Sequence, residues 1–171
     1  MFVSIKTLVI FALIQTFLLS LIHADLIDTV CEKSDGDVKC QLALRAPRNP
    51  NPDLTFLGHI AIDAVRNYTS NTIAFFNKLK DEQKDNATIN ALFDCIGYYG
   101  AAFANIDNCK SSLIDKKYAN MVKDATIIKG RAGNCKTRCE GLDVTNYIYD
   151  SNDEEAILAS ILQVIGTMLS I

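Results

Sequence analysis

Between Ile89 and Leu113 the apolar residues Ile89, Leu92, Ile96, Tyr99, Phe103, Ile106 and Leu113 recur with a period of three to four. On an α-helix such residues share one stripe, and that stripe has to be buried against something. Three more segments behave alike. One opens at Asp53, a good helix N-cap, with Leu54, Leu57, Ala61, Ala64, Tyr68 and one of Phe75 or Phe76 turned inward. Another runs from about Lys116 with Met121, Val122, Ala125 and Ala132 on one face, and Gly130 and Gly133 within it permit close packing or a bend. The last begins at Ser151, with Glu154 placed to complete a capping box, and carries Ile157, Ile161, Leu162, Ile165, Met168 and Leu169. Nothing alternates as a strand would, so the expected fold class is all-α. Four antiparallel helices with short connections make an up-down-up-down four-helix bundle.

Ahead of the bundle, Asp25–Ala46 reads as two short helices folded back at Asp35-Gly36-Asp37. Pro47, Pro50 and Pro52 then interrupt any helix and mark a linker. Earlier still, Lys6 precedes an apolar run from Leu8 to Ile22 that exits at Ala24. That order is that of a secretory signal peptide, and the run is short for a membrane span. The expected domains are a leader over 1–24 and one domain over 25–171, divided into a hairpin and linker (25–52) and the bundle (53–171).

All six cysteines, Cys31, Cys40, Cys95, Cys109, Cys135 and Cys139, lie after the leader. An even count in an oxidising compartment points to disulfides. Helical register constrains them. Facing residues of an antiparallel hairpin keep a constant index sum; pairing Cys95 with Cys135 centres the turn on Asp115, between Leu113 and Tyr118, where the stripe already needs a break. Cys109 then faces residue 121, so a Cys109–Cys139 bridge would have to close roughly 27 Å, far beyond the ~7 Å that disulfide Cα atoms span. Cys95–Cys139 is offset by one turn, and periodicity alone leaves it compatible. Cys109 is expected as a buried thiol in a small core position. Asn67-Tyr68-Thr69 and Asn86-Ala87-Thr88 are acceptor triplets for N-glycosylation.

Without Lys6, 16 of the 17 basic side chains stand against 20 acidic ones. An acidic, mixed-sign surface offers no footprint for nucleic acid and no unaided grip on a polyanion such as pectin. A protein partner fits better. After the leader the single histidine is His59, and there is no tryptophan. A Cys–His hydrolase would depend wholly on His59. Asp81-Glu82, Asp85 and Asp153-Glu154-Glu155 read as solvated helix starts rather than paired catalytic acids. A Cys135-x-x-x-Cys139 zinc site lacks the usual ligand spacing, so no metal and no cofactor is expected. The apolar C-terminal end lacks the polar spacer of a lipid-anchor signal and reads as the last bundle helix. Of Tyr98-Tyr99 only Tyr99 shares the inward stripe; Tyr98 is a candidate contact residue.

Several motifs together resemble the plant invertase/pectin methylesterase inhibitor family. They are Leu26-Ile27 followed by Cys31, Cys40 and Leu44; Asp53-Leu54-x-x-Leu57-Gly58-x-x-Ala61-Ile62-Asp63; Asp94-Cys95-x-x-x-Tyr99-x-x-Ala102; Leu113-x-x-x-x-Tyr118; and Ala132-Gly133-Asn134-Cys135. The resemblance covers nearly all of the chain after the leader. It implies a disulfide-stapled bundle with an N-terminal helical hairpin and bridges Cys31–Cys40 and Cys95–Cys135. It also implies a non-enzymatic secreted inhibitor, monomeric when free, in the apoplast and cell wall or in the vacuole. Such an inhibitor forms a one-to-one complex that covers the active-site cleft of pectin methylesterase, with invertase as the alternative target. A bundle that kept the fold for a structural or ligand-carrying role is the further alternative.

The chain departs from the family's pattern at specific places. Around the fourth cysteine, Asn134-Cys135-Lys136-Thr137 replaces a frequent Thr-Cys-Glu-Asp, and Cys139 stands where phenylalanine is common. Gly97 and Ala101 occupy positions that are often acidic in pectin methylesterase inhibitors. By motif position the expected contact residues are Tyr98, Ala101, Asn134, Lys136 and Thr137.

Overall fold

The computed structural model describes residues 26–34, 38–45 and 52–171. The expected leader, the Asp35–Asp37 turn, Pro47 and Pro50 lie outside the described residues. Two short helices, α1 over residues 26–33 and α2 (Val38–Arg45), are joined by the Cys31–Cys40 disulfide, Cα–Cα 5.5 Å. Asp28 Oδ1 accepts from Gln41 Nε2 at 2.8 Å and from Arg45 at 2.7 Å, which fixes the pair's relative tilt. Ile27, Val30 and Leu44 are buried against the body of the protein.

That body is four long helices: α3 (Leu54–Glu82), α4 (Asn86–Ile114), α5 (Tyr118–Arg138) and α6 (Thr145–Leu169). Sequential helices pack as neighbours and α6 returns against α3, closing the expected up-down-up-down bundle. Asp53 caps α3 by accepting the Phe56 N–H at 2.7 Å. Asp85 caps α4, accepting both the N–H and the hydroxyl of Thr88 at 2.8 Å, and these bonds hold its carboxyl below the ordinary value. Between α4 and α5 the Lys117 N–H donates to the Ser112 carbonyl and the Lys116 N–H to that of Leu113. This is a Schellman motif whose left-handed residue is Lys116, at φ 58°.

The stripes face inward as the periodicity requires. Leu57, Ala61 and Phe76 of α3 are buried, as are Leu92, Tyr99, Ile106 and Leu113 of α4. So are Met121, Ala125 and Ala132 of α5, and Ile161, Leu162 and Ile165 of α6. Of the two phenylalanines, Phe76 is the core residue and stacks edge-on to Tyr99 at 5.3 Å, whereas Phe75 is exposed. Gly130 and Gly133 neither admit a neighbouring helix nor interrupt α5, and both face open space. The close approaches are elsewhere. A Cβ on Gly58 would meet Leu113 Cδ2 at 2.9 Å, and one on Gly166 would meet Val122 Cγ2 at 2.8 Å.

Three expectations need correction. The last helix starts at Thr145, not Ser151; the Ser151 hydroxyl donates to the Tyr147 carbonyl from inside the helix, and Glu154 pairs with Lys39 at 3.2 Å. The capping-box pattern is there in sequence, but six residues of helix precede it. Asp81 and Glu82 end α3 rather than starting a helix. The run Asp153-Glu154-Glu155 lies within α6, and Glu155 is buried.

That burial divides the core. One apolar cluster joins α1 and α2 to Leu57, Ile62, Ile106, Met121 and Ile165, and a second gathers Phe76, Leu92, Cys95, Tyr99, Cys135 and Ile148. Between them α3, α4 and α6 contribute a polar layer. The Tyr99 hydroxyl donates to Asn152 Oδ1 at 2.8 Å and the Tyr68 hydroxyl to the Ser151 carbonyl at 3.3 Å. Thr69 Oγ1 lies 2.8 Å from the Val65 carbonyl and 2.7 Å from Glu155 Oε1. A hydroxyl has one hydrogen, so a protonated Glu155 satisfies both contacts where a carboxylate satisfies one. Burial pushes Glu155 up to about 7; a Thr69 hydroxyl that donates to the carboxylate opposes the rise, and the neighbouring Glu154 charge adds to it.

Candidate functional site: the α4–α5 face

The register of α4 on α5 is constant along their length. Cys95 and Cys135 form a disulfide with Cα atoms 4.8 Å apart, and Cys109 Sγ meets the Met121 carbonyl at 3.5 Å. Both pairs have the index sum of 230 that places the turn at Asp115, which is the C-cap of α4. Cys109 is buried as a core thiol, and desolvation, then the Asp124 charge, pushes it up to about 12. It sits in the other half of the bundle from Cys139, as the register requires.

Outside the staple, polar contacts stitch the seam. Arg138 Nε donates to Asp94 Oδ2 at 2.6 Å near one end. Asn105 and Asn108 donate to Asp124 Oδ1 at 2.9 and 3.4 Å near the other. The Asp94 bond raises the Arg138 guanidinium, which stays charged. Next to this ion pair Tyr98, Asn134, Thr137, Arg138 and Glu140 line an open hollow of about 710 Å³.

The expected contact residues divide on this surface. Tyr98, Asn134 and Thr137 come together in the hollow. Ala101, one turn beyond Tyr98, is exposed beside it. Lys136 points to the opposite edge of α5, where Nζ donates to Asp153 of α6 at 2.9 Å and lies 4.6 Å over the Tyr149 ring. Cys135 faces inward, so its two sequence neighbours fall on opposite flanks of the helix. Arg138 and Glu140 were missed from sequence. Arg138 could have been found, because it is four residues after Asn134 and so shares that flank of α5. Gly97 is exposed, with open space where a side chain would begin.

Beneath the hollow lies a third sulfur. Cys139 is fully buried, and its Sγ is 3.6 Å from Cys95 Sγ. The sulfurs of Cys95, Cys135 and Cys139 all lie within 4.8 Å of one another. Two of the three are bonded to each other, so the trio does not offer a metal three thiolates.

The sequence model of the family described as plant invertase/pectin methylesterase inhibitor matches residues 25–170. The chain belongs to that family. Among solved structures, a mutant form of a pectin methylesterase inhibitor from Arabidopsis has the same fold at a TM-score of 0.74 and 19% identity, covering 83% of this chain and 95% of that one. A pectin methylesterase inhibitor from Arabidopsis thaliana aligns at 0.66 and 20% identity, covering 85% of this chain and 96% of that one. At such identities the likeness is one of fold. Among curated proteins, none matches the sequence. The family is one of inhibitors rather than enzymes, and the two disulfides that membership implies are both formed. Among the described residues, no helix is long and apolar enough to cross a membrane.

Proposed function

We propose that this protein is a secreted inhibitor of pectin methylesterase that covers the active-site cleft of its target, one to one, with the α4–α5 face. The observation that carries the reading is the hollow itself. Tyr98 is a rigid aromatic anchor beside Asn134, Thr137 and the Arg138–Asp94 pair, on two helices joined by a disulfide directly below. A surface already ordered loses little entropy on binding, and aromatic and arginine side chains dominate interface energetics. The remaining chemistry agrees. The two free thiols are pushed up in pKa by burial, Cys139 to about 11, the reverse of an activated nucleophile. Asn67 and Asn86 are exposed on α3 and at the start of α4, and Asn67 lines a groove with Lys39 and Glu154 on the α2–α6 side. A glycan at Asn67 would leave the α4–α5 hollow open. A buried Glu155 that is neutral below about 7 suits an acidic compartment such as the cell wall.

Invertase is the second target class, favoured by one observation. Gly97 and Ala101 are exposed and carry no carboxylate, so the face lacks the negative charge that pectin methylesterase inhibitors often place there. The test is inhibition of a plant pectin methylesterase and of a cell-wall invertase by the purified, glycosylated protein at acidic and neutral pH. Tyr98→Ala and Arg138→Ala should each weaken inhibition about tenfold or more, while Lys78→Ala on the exposed side of α3 should not. Inhibition of invertase alone would reassign the target. No inhibition of either enzyme by micromolar protein would overturn the proposal.

A further inference from the structure

Cys135 and Cys139 lie one turn apart on α5 and both face Cys95 of α4. The Cys95–Cys135 bond is closed, and the Cys139 sulfur rests in van der Waals contact with its Cys95 end, at 3.6 Å. Cys139 is also the C-cap of α5. Its N–H is shared among the carbonyls of Cys135, Lys136 and Thr137, so the backbone there belongs to a tapering last turn rather than a regular ladder. Family membership calls for four cysteines in two bridges and gives Cys139 no role.

We propose that Cys139 is an alternative disulfide partner of Cys95, reached from the Cys95–Cys135 bridge by internal thiol–disulfide exchange. The Cys139 thiolate attacks Cys95 Sγ. The Cys95–Cys139 bond forms as the Cys95–Cys135 bond breaks, and Cys135 leaves as the thiolate and takes up the proton that Cys139 gave up. One disulfide and one thiol exist before and after, so no oxidant or reductant is consumed. Burial that pushes the Cys139 thiol up to about 11 makes the step slow at neutral pH and about tenfold faster with each unit of pH below that value. The exchange moves the staple one turn along α5. Arg138, bonded to Asp94 next to Cys95, is then drawn with it, and the hollow changes shape. The consequence for target binding rests on the inhibitor reading; the exchange does not.

The experiment maps bonds rather than activity, which separates it from that reading. A Cys135→Ser variant refolded in a glutathione redox buffer and digested after acid quenching should contain a Cys95–Cys139 linked peptide, leaving only Cys109 to alkylate. Its melting should stay close to that of the native protein. A folded variant in which both Cys95 and Cys139 alkylate overturns the proposal. A second measurement does not depend on that variant folding. Native protein held at about pH 9 without added thiol or oxidant, then acid-quenched, unfolded and treated with maleimide, should accumulate label on Cys135 together with the Cys95–Cys139 peptide. Cys139→Ser should show neither. Label confined to Cys109 and Cys139 after prolonged incubation would equally sink the idea.

Discussion

Along α4–α5 the helices are joined by a covalent bond inside an apolar cluster, whereas along α3–α6 they meet through Tyr68 and Thr69 on one side and Ser151 and Glu155 on the other. The first seam restricts the unfolded chain and is indifferent to moderate changes of pH. The second buries a titratable group, so its contribution depends on a proton. A rigid binding face fits the first kind of seam, which is where the hollow lies. The polar layer instead favours one register, in which the Tyr99 hydroxyl reaches Asn152 and the Thr69 hydroxyl reaches Glu155, while Asn152 Nδ2 and Glu155 Oε2 stay buried without a partner.

The largest effect should come from cutting the covalent seam. Cys95→Ser removes the staple whichever partner it has, and calorimetry should find roughly 2–5 kcal/mol lost. Cys135→Ser should lose much less, because Cys139 remains in reach. Equal losses in the two variants would show that the seam has a single bridge.

The polar seam should respond to pH with a definite sign. Glu155 is raised from 4.5 to about 7 in the folded protein, so the folded state holds the proton more tightly than the unfolded chain. Its stabilising contribution is complete below 4.5 and is lost as pH rises through about 7. Across that window the native protein should lose about 3 kcal/mol relative to Glu155→Gln, whose amide can still donate to Thr69. Urea melts at several pH values measure the difference in slope. Parallel curves for the two proteins would mean that water already solvates the carboxylate.

A smaller effect tests the apolar contacts that hold both seams in place. Gly166→Ala places a methyl group 2.8 Å from Val122 Cγ2 and 3.4 Å from the Tyr118 carbonyl. Valine is stiff about χ1 and the carbonyl is backbone, so neither yields readily. The α5–α6 contact should open at a loss of about 1–3 kcal/mol. Gly130→Ala, in open space within the same pair of helices, should instead stabilise by about 0.5–1 kcal/mol. Reversal of that order would place the tight contact elsewhere.

The difference between the seams also explains what the sequence made legible. Period and register are properties of whole helices, and they located the α4–α5 turn at Asp115, the facing of Cys109 and residue 121, and the inward side of every long helix. The sequence misplaces the start of α6 because Ser151 and Glu154 imitate a capping box, while Thr145, whose hydroxyl donates to the Cys139 carbonyl, carries no comparable pattern. By sequence Glu155 reads as solvated because it continues the charged run Asp153-Glu154. Its angular position turns it inward, three residues before Leu158 and seven before Leu162 on the buried face of α6. On the candidate face, residue type and motif position found Tyr98, Asn134 and Thr137. Chain adjacency then misled for Lys136, which shares a motif with Asn134 and not a surface.

The smallest predicted effect concerns the turn that sets the α4–α5 register. Lys116 adopts φ 58° at the left-handed position of the Schellman motif, where glycine is the usual residue because a Cβ crowds the following carbonyl. Lys116 is exposed, so replacing it removes no packing. Lys116→Gly relieves the crowding and gives back part of the gain as unfolded-state entropy. The net change should be a stabilisation of about 0.5–1 kcal/mol, read as a small rise in melting temperature with the denaturant slope unchanged. The Cys95–Cys135 bridge already limits how far this turn can open in the unfolded chain. The same substitution made in a Cys95→Ser background therefore tests coupling between turn and staple. Additive effects would mean that the turn fixes the register by itself. A larger gain without the bridge would mean that staple and turn perform one task, holding the α4–α5 seam in a single alignment.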